Sequence, residues 1–195
     1  NLIKKHPKNP ICWKVLGAIY CATGRAEDSL EPMREALRLD PMDASANSNL
    51  AITLNSVGRF EEAEKICRRA VSLKPKFAEG HSNLGMILSG LGRFEEALVS
   101  YREAIRLKPI IPETHHNKSN LLKITGQLRD AEVSCRQAIR LKPKYAKAIN
   151  TLGNILRDQG RLSEAERSYR EAIEIEPDFI EARTNLLSCL ISSES

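Results

Sequence analysis

A chain of 195 residues with 42 % apolar and 28 % charged side chains has the composition of a globular protein, which excludes a wholly disordered one. The aromatic content is low, one Trp, four Tyr and four Phe, which favours helices over a large mixed β core. The net charge of +5 is modest for a dedicated nucleic-acid binder, and no run approaches the roughly 18–20 apolar residues of a membrane helix, so no membrane insertion is expected.

The prolines set the organisation. Pro7, Pro41, Pro75, Pro109, Pro143 and Pro177 recur every 34 residues, accompanied by a glycine column (Gly24, Gly58, Gly92, Gly126, Gly160) and an alanine column (Ala36, Ala70, Ala104, Ala138, Ala172). A fixed period of this length marks stacked repeats. Each period predicts two helices: the glycine ends the first in a left-handed turn, and the proline closes the second.

In chain order, residues 1–9 read as the end of a preceding repeat. Residues 10–43 carry Trp13, Leu16, Gly17 and Tyr20, then Ala36 and Pro41. Residues 44–77 carry Leu50 and Ala51, then Cys67. In 78–111 the first helix presents Leu84, Gly85 and Leu88, and the second Ala97, Tyr101, Ala104 and Ile105, spaced three and four apart. Residues 112–145 place Lys118 and Ser119 where other repeats have Leu and a small residue, which predicts a weak layer. Residues 146–179 restore Leu152 and Gly153 and add Tyr169. Residues 180–195 hold one further first helix, or capping helix, with Leu186, Leu187 and Leu190. A helix pair of this kind cannot bury its apolar face alone and must stack on its neighbours.

These columns resemble the tetratricopeptide repeat (TPR) family over practically the whole chain. The resemblance implies an all-α TPR solenoid of antiparallel helix pairs, wound as a right-handed superhelix with a concave face built by the first helices, residues 1–195 forming a single array. It departs from the family pattern where Asn47, His81, His115, Ile149 and Arg183 stand in the column of Trp13, and where Cys67 and Cys135 stand in that of Tyr101 and Tyr169.

Signatures of catalysis are missing. The sequence has no phosphate-binding glycine loop, no H-E-x-x-H and no G-x-S-x-G. His81 and His115 share one repeat column and read as packing residues, and acidic pairs such as Glu61-Glu62 and Glu95-Glu96 suit helix N-termini. No enzymatic activity, cofactor or metal site is expected within these residues. The five cysteines include no C-x-x-C pair and read as free thiols of a reducing, cytoplasmic compartment. Net charge by repeat runs −2, +3, 0, +4 and −2, which gives no continuous basic stripe, so nucleic acid is not the expected partner.

The expected function lies in the groove. One first-helix column reads Val15, Asn49, Asn83, Asn117, Thr151 and Asn185; another reads Ala18, Ile52, Met86, Asn120, Asn154 and Ser188; a third reads Lys14, Ser48, Ser82, His116, Asn150 and Thr184. Asn side chains offer two donors and an acceptor, and a row of them can hold the amides of an extended peptide. The expected peptide-binding residues are therefore Asn49, Asn83, Asn117 and Asn185, helped by Asn120, Asn150 and Asn154. Lys123 and Arg157 make one end basic, and Ala18, Ile52 and Met86 make the other apolar. This ladder resembles the repeat region of O-linked N-acetylglucosamine transferases and their bacterial relatives. The reading is a protein–protein interaction scaffold with a protein or peptide partner. Two alternatives are the substrate-recognition arm of such a glycosyltransferase, its catalytic domain lying outside this chain, and a scaffold that self-associates through its array ends.

Overall fold

The computed structural model describes residues 5–193. The segment 1–9 is thus described only from residue 5, and the last helix to residue 193. Among the described residues there are helices and no strands: α1 (Pro10–Ala22), α2 (Ala26–Leu39), α3 (Ala44–Ser56), α4 (Phe60–Leu73), α5 (Ala78–Gly90), α6 (Phe94–Leu107), α7 (Pro112–Ile124), α8 (Leu128–Leu141), α9 (Ala146–Asp158), α10 (Leu162–Ile175) and α11 (Ile180–Ser193). The fold is an all-α helical repeat. The chain forms two compact units, Asn1–Leu107 with α1–α6 and Lys108–Ser195 with α7–α11.

The turns follow from the glycine column. All five of these glycines take positive φ, between 73° and 80°, a conformation that costs a side chain. The residue after each glycine then donates its N–H five residues back, as Arg59 does to Leu54 at 2.9 Å and Arg161 to Leu156 at 2.9 Å. Those bonds satisfy carbonyls that the ending helix leaves open. The second helix stops where its last N–H reaches the alanine column, Lys74 to Ala70 at 3.1 Å and Lys142 to Ala138 at 3.0 Å, with proline next in the chain.

Packing within a repeat depends on small residues. Ala63, Ala97, Ala131 and Ala165 are fully buried on the second helices, as are Ala70, Ala104, Ala138 and Ala172. The column that alternates between Met33, Cys67, Tyr101, Cys135 and Tyr169 faces a matching column on the first helix. Opposite Met33, Tyr101 and Tyr169 stand Gly17, Gly85 and Gly153, where a Cβ would come within 2.6, 2.8 and 2.5 Å of the larger side chain. The repeats with Cys67 and Cys135 carry Ala51 and Ser119 instead, all four fully buried. Large residue and missing side chain are thus complementary repeat by repeat.

The Trp column looks irregular in sequence and is regular in structure. Trp13 Nε1 donates to the Pro7 carbonyl at 2.8 Å. Asn47 Nδ2 reaches the Pro41 carbonyl at 3.4 Å, His81 Nε2 that of Pro75 at 2.9 Å, and His115 Nε2 that of Pro109 at 2.9 Å. Four residues of three types supply one side-chain N–H to the turn that precedes their helix. Ile149 cannot donate and is simply buried.

Lys118 stands in a column that other repeats fill with Leu. It is half-buried and is not without a partner.

Candidate functional site

The second unit holds an open groove of about 420 Å³ between the first helices α7, α9 and α11. Helical spacing brings Asn120, Lys123 and Ile124 of α7 to its wall, and Lys147, Thr151 and Asn154 of α9 to the facing side, with Phe179 and Glu181 at the α11 end. Four residues expected at the site from sequence, Asn120, Asn150, Asn154 and Lys123, line this one opening.

His116 organises this groove from within. Tyr145 Oη lies 3.2 Å from its Nδ1, Thr151 Oγ1 lies 3.0 Å from its Nε2, and Thr151 Oγ1 lies 3.3 Å from Asn120 Oδ1. One proton order satisfies all three contacts: the Tyr145 hydroxyl donates to Nδ1, Nε2–H donates to Thr151, and Thr151 donates to Asn120. The Asn120 amide nitrogen lies 3.3 Å from Nε2; in the other tautomer it donates one hydrogen to that nitrogen, and in either its second hydrogen stays outside this network. The Tyr145 ring meets the imidazole edge-on at 5.1 Å, and Lys142 Nζ sits 4.6 Å from the Tyr145 ring centre. Burial, helped by the Lys147 charge and opposed by Glu113, pushes the His116 pKa down to about 4. The imidazole is neutral at neutral pH.

Asn154 is set by a neighbour in the same way. Tyr169 Oη donates to its Oδ1 at 2.9 Å, which again leaves the amide N–H groups available. Arg157, one turn further along α9, is half-buried beside Asp158 at 3.5 Å.

Asn150, Asn185 and Asn83 have structural partners. Asn150 is buried; its Nδ2 donates to Glu181 Oε1 at 3.0 Å and its Oδ1 accepts from Asn185 Nδ2 at 3.0 Å, tying α9 to α11. In the first unit Asn83 Nδ2 donates to Ser48 Oγ at 2.9 Å, tying α5 to α3. The pairs Ser48–Asn83, His116–Thr151 and Asn150–Asn185 all lie 35 residues apart. Adjacent first helices are thus stitched by two neighbouring polar columns. Asn49 is exposed on α3, and Asn117 is half-buried on α7. Ala18 is exposed, and Ile52 and Met86 are half-buried. The roles of His116 and Thr151 were hidden in the sequence, where the only signal was two polar columns offset by one residue.

Among the described residues no cluster of His, Cys, Asp or Glu could hold a metal ion, and no helix is long and apolar enough to cross a membrane. Models of the tetratricopeptide repeat match residues 43–110, 112–145 and 146–179. The chain belongs to the tetratricopeptide repeat family. TPR proteins are protein-interaction scaffolds. The chain is similar to the crystal structure of TTC0263, a thermophilic TPR protein in Thermus thermophilus, with 26 % identity, a TM-score of 0.81, and coverage of 93 % of this chain and 99 % of that one. It shares its fold with YrrB, a TPR protein with an unusual peptide-binding site, at 20 % identity, a TM-score of 0.66 and 94 % coverage of both chains. It also shares its fold with PilW, a widely conserved type IV pilus biogenesis factor, at 22 % identity and a TM-score of 0.79, over 85 % of this chain and 77 % of that one. No curated protein gives a significant match. These comparisons support the repeat family, and not the narrower likeness to O-linked N-acetylglucosamine transferases.

Proposed function

We propose that this TPR protein is a non-catalytic scaffold that holds an extended segment of a protein partner against its first helices. The observation that carries this reading is the groove of the second unit. There the carbonyl oxygens of Asn120 and Asn154 are engaged by the Thr151 and Tyr169 hydroxyls, and the two side-chain amides line one opening with Lys123 and Lys147, with Glu181 at its α11 end. A wall of donors suits a ligand rich in acceptors, namely peptide carbonyls and acidic side chains. Asn117 and Asn185 extend the proposed contacts along their column in the second unit, and Asn49 and Asn83 offer the same chemistry on the first helices of the first unit. Asn83 and Asn185 keep an oxygen and a second N–H beyond the bond each makes to its neighbouring helix. Asn150 and Arg157 support the groove from behind and beside it.

The reading of residues 1–195 as one array rests on the unbroken 34-residue register. The reading of a reducing, cytoplasmic setting rests on the free thiols.

A pull-down from a peptide library tests the proposal, comparing wild type with an Asn120→Ala/Asn154→Ala/Lys123→Ala variant. Each amide contact replaces a contact with water, so each substitution should cost about 0.5–1.5 kcal/mol and the three together most of the binding. Equal capture by both proteins would remove the groove from consideration.

A second reading, self-association, is favoured by apolar stripes that remain exposed: Ile11, Val15 and Ile19 on α1, and Leu187 and Ile191 on α11. Sedimentation velocity at rising concentration separates it from the first, since only self-association makes the sedimentation coefficient climb.

A further inference from the structure

An asparagine side chain carries both donors and an acceptor, so a groove lined with asparagines can meet a ligand's N–H as well as its C=O. In the second unit, residues behind the groove narrow that choice. Asn154 Oδ1 accepts from Tyr169 Oη at 2.9 Å, and Asn120 Oδ1 accepts from Thr151 Oγ1 at 3.3 Å. How much of the Asn120 amide is left for a ligand then depends on His116, whose Nε2 stands 3.0 Å from Thr151 Oγ1 and 3.3 Å from Asn120 Nδ2.

Two proton orders compete at this imidazole. With the ring hydrogen on Nδ1, Tyr145 Oη accepts it, and Nε2 takes a hydrogen from Asn120. The Tyr145 hydroxyl hydrogen then has no acceptor among the described residues. Thr151 Oγ1, its own hydrogen spent on Asn120, faces the Nε2 lone pair with none to give. With the ring hydrogen on Nε2, each hydrogen is used once, from Tyr145 to Nδ1, from Nε2 to Thr151 and from Thr151 to Asn120. The Asn120 hydrogen that the first order consumes has no acceptor in this second network and is open to one from a ligand.

Tyr145 weights the balance. It stands in the turn before α9, in a repeat column that Ile111 and Phe179 fill elsewhere in this unit, and neither of those has a hydroxyl. Its ring lies edge-on to the imidazole at 5.1 Å, with Lys142 Nζ 4.6 Å from the ring centre on its own side of the turn. The buried imidazole is neutral at neutral pH, so the hydroxyl selects between tautomers and not between charge states.

We infer that Tyr145 is a positioning residue of the groove: its hydroxyl holds His116 as the Nε2–H tautomer and thereby keeps the Asn120 amide a free donor, so that this point of the groove favours a ligand's carbonyl or carboxylate oxygen over its N–H. The inference rests on the reading of the groove as a site for a protein segment, and adds which edge of that segment Asn120 meets. Linkage makes the effect reciprocal, since an acceptor bound at Asn120 favours the Nε2–H form in turn.

Long-range proton–nitrogen correlation NMR on isotope-labelled protein at neutral pH reads the His116 tautomer without any ligand, with His116→Gln identifying its signals. Wild type should show the Nε2–H pattern, and Tyr145→Phe, which keeps the ring, a shift towards the Nδ1–H pattern. The side-chain amide signals of Asn120 and Asn154 are then followed as two neutral probes are added: N,N-dimethylacetamide, with a carbonyl and no N–H, and pyrrole, with an N–H and no carbonyl. Dimethylacetamide should move both amides and pyrrole neither. In Tyr145→Phe the Asn120 response should fall by about half, one of its two hydrogens being committed to Nε2, while the Asn154 response, set by Tyr169, should stay as it was. An Nδ1–H pattern in wild type, which needs no variant to fold, would overturn the inference and leave the groove standing. So would an unchanged tautomer in Tyr145→Phe or an equal response to pyrrole. No response of either amide to dimethylacetamide, with the tautomer as expected, would remove the groove itself and the inference with it.

Discussion

Tyr101 lies so close to Gly85 that a Cβ on the glycine would stand 2.8 Å from its ring. The repeat built around Cys67 has Ala51 at the corresponding place, both fully buried. The two columns therefore exchange volume across the helix pair, and the exchange should be measurable. Gly85→Ala should destabilise the protein by about 1–3 kcal/mol through overpacking. In a Tyr101→Cys background, itself costly because it opens a cavity, the same change should cost clearly less, a coupling of about 0.5–3 kcal/mol. Gly92→Ala serves as the control: at φ 73° with nothing near its Cβ, it should cost about 1 kcal/mol in either background. Urea unfolding of the set gives the answer, and additivity at Gly85 would mean that the contact is not what fixes these residues.

The histidines of the Trp column make a simpler prediction. His81 Nε2 stands 2.9 Å from the Pro75 carbonyl. Replacing it with Leu removes the donor and should cost about 0.5–1.5 kcal/mol. His81→Asn should retain much of that stability, because Asn47 makes the same reach in the preceding repeat. Equal midpoints for the Leu and Asn variants would show that packing, not the hydrogen bond, is what the column supplies.

His116 should give the protein a dependence on mild acid. Its folded pKa, about 4, lies below the ordinary imidazole value of 6.5, chiefly because it is buried, with Lys147 adding to the effect and Glu113 opposing it. The unfolded chain therefore takes up a proton first as the pH falls. Stability contributed by the neutral ring is complete above pH 6.5 and is lost progressively down to pH 4. Between pH 7 and 4.5 the loss attributable to His116 should be about 2 kcal/mol. A His116→Gln variant should lose less stability than wild type over that interval by this amount; parallel pH profiles would refute the assignment.

The thiols divide by burial. Cys67 and Cys135 are fully buried, donate to the carbonyls of Gly80 at 3.5 Å and Ala148 at 3.0 Å, and are pushed up by burial to a pKa of about 12. Cys21 is exposed. With Ellman's reagent at neutral pH the native protein should release colour from Cys21 at once and from Cys67 and Cys135 only on unfolding. Because their folded pKa is raised, these two thiols hold their stabilising contribution below pH 9.0 and lose it as the pH climbs towards 12. Rapid labelling of Cys67 in native protein, located by peptide mapping, would contradict the packing described.

The 34-residue spacing of proline, glycine and alanine was enough to predict helices alone, two to each repeat, since each column acts through local backbone chemistry. A glycine at positive φ and a proline without an N–H end helices wherever they occur. The complementarity of Gly85 with Tyr101 was visible only as two columns of small and large residues, because nothing local says which of them touch. The equivalence of Trp13, Asn47, His81 and His115 was visible only as a shared repeat column: their common role rests on one N–H reaching one carbonyl, which the folded turn brings within 2.8–3.4 Å. The same is true of the candidate groove. Sequence named Asn120, Asn154 and Lys123 by their column, while only the packing of α7 against α9 placed His116 and Thr151 between them and turned Asn150 and Asn185 towards each other. Periodic chemistry along the chain decides the elements; which polar groups bind each other and which remain open to a partner is decided by contacts between helices 35 residues apart.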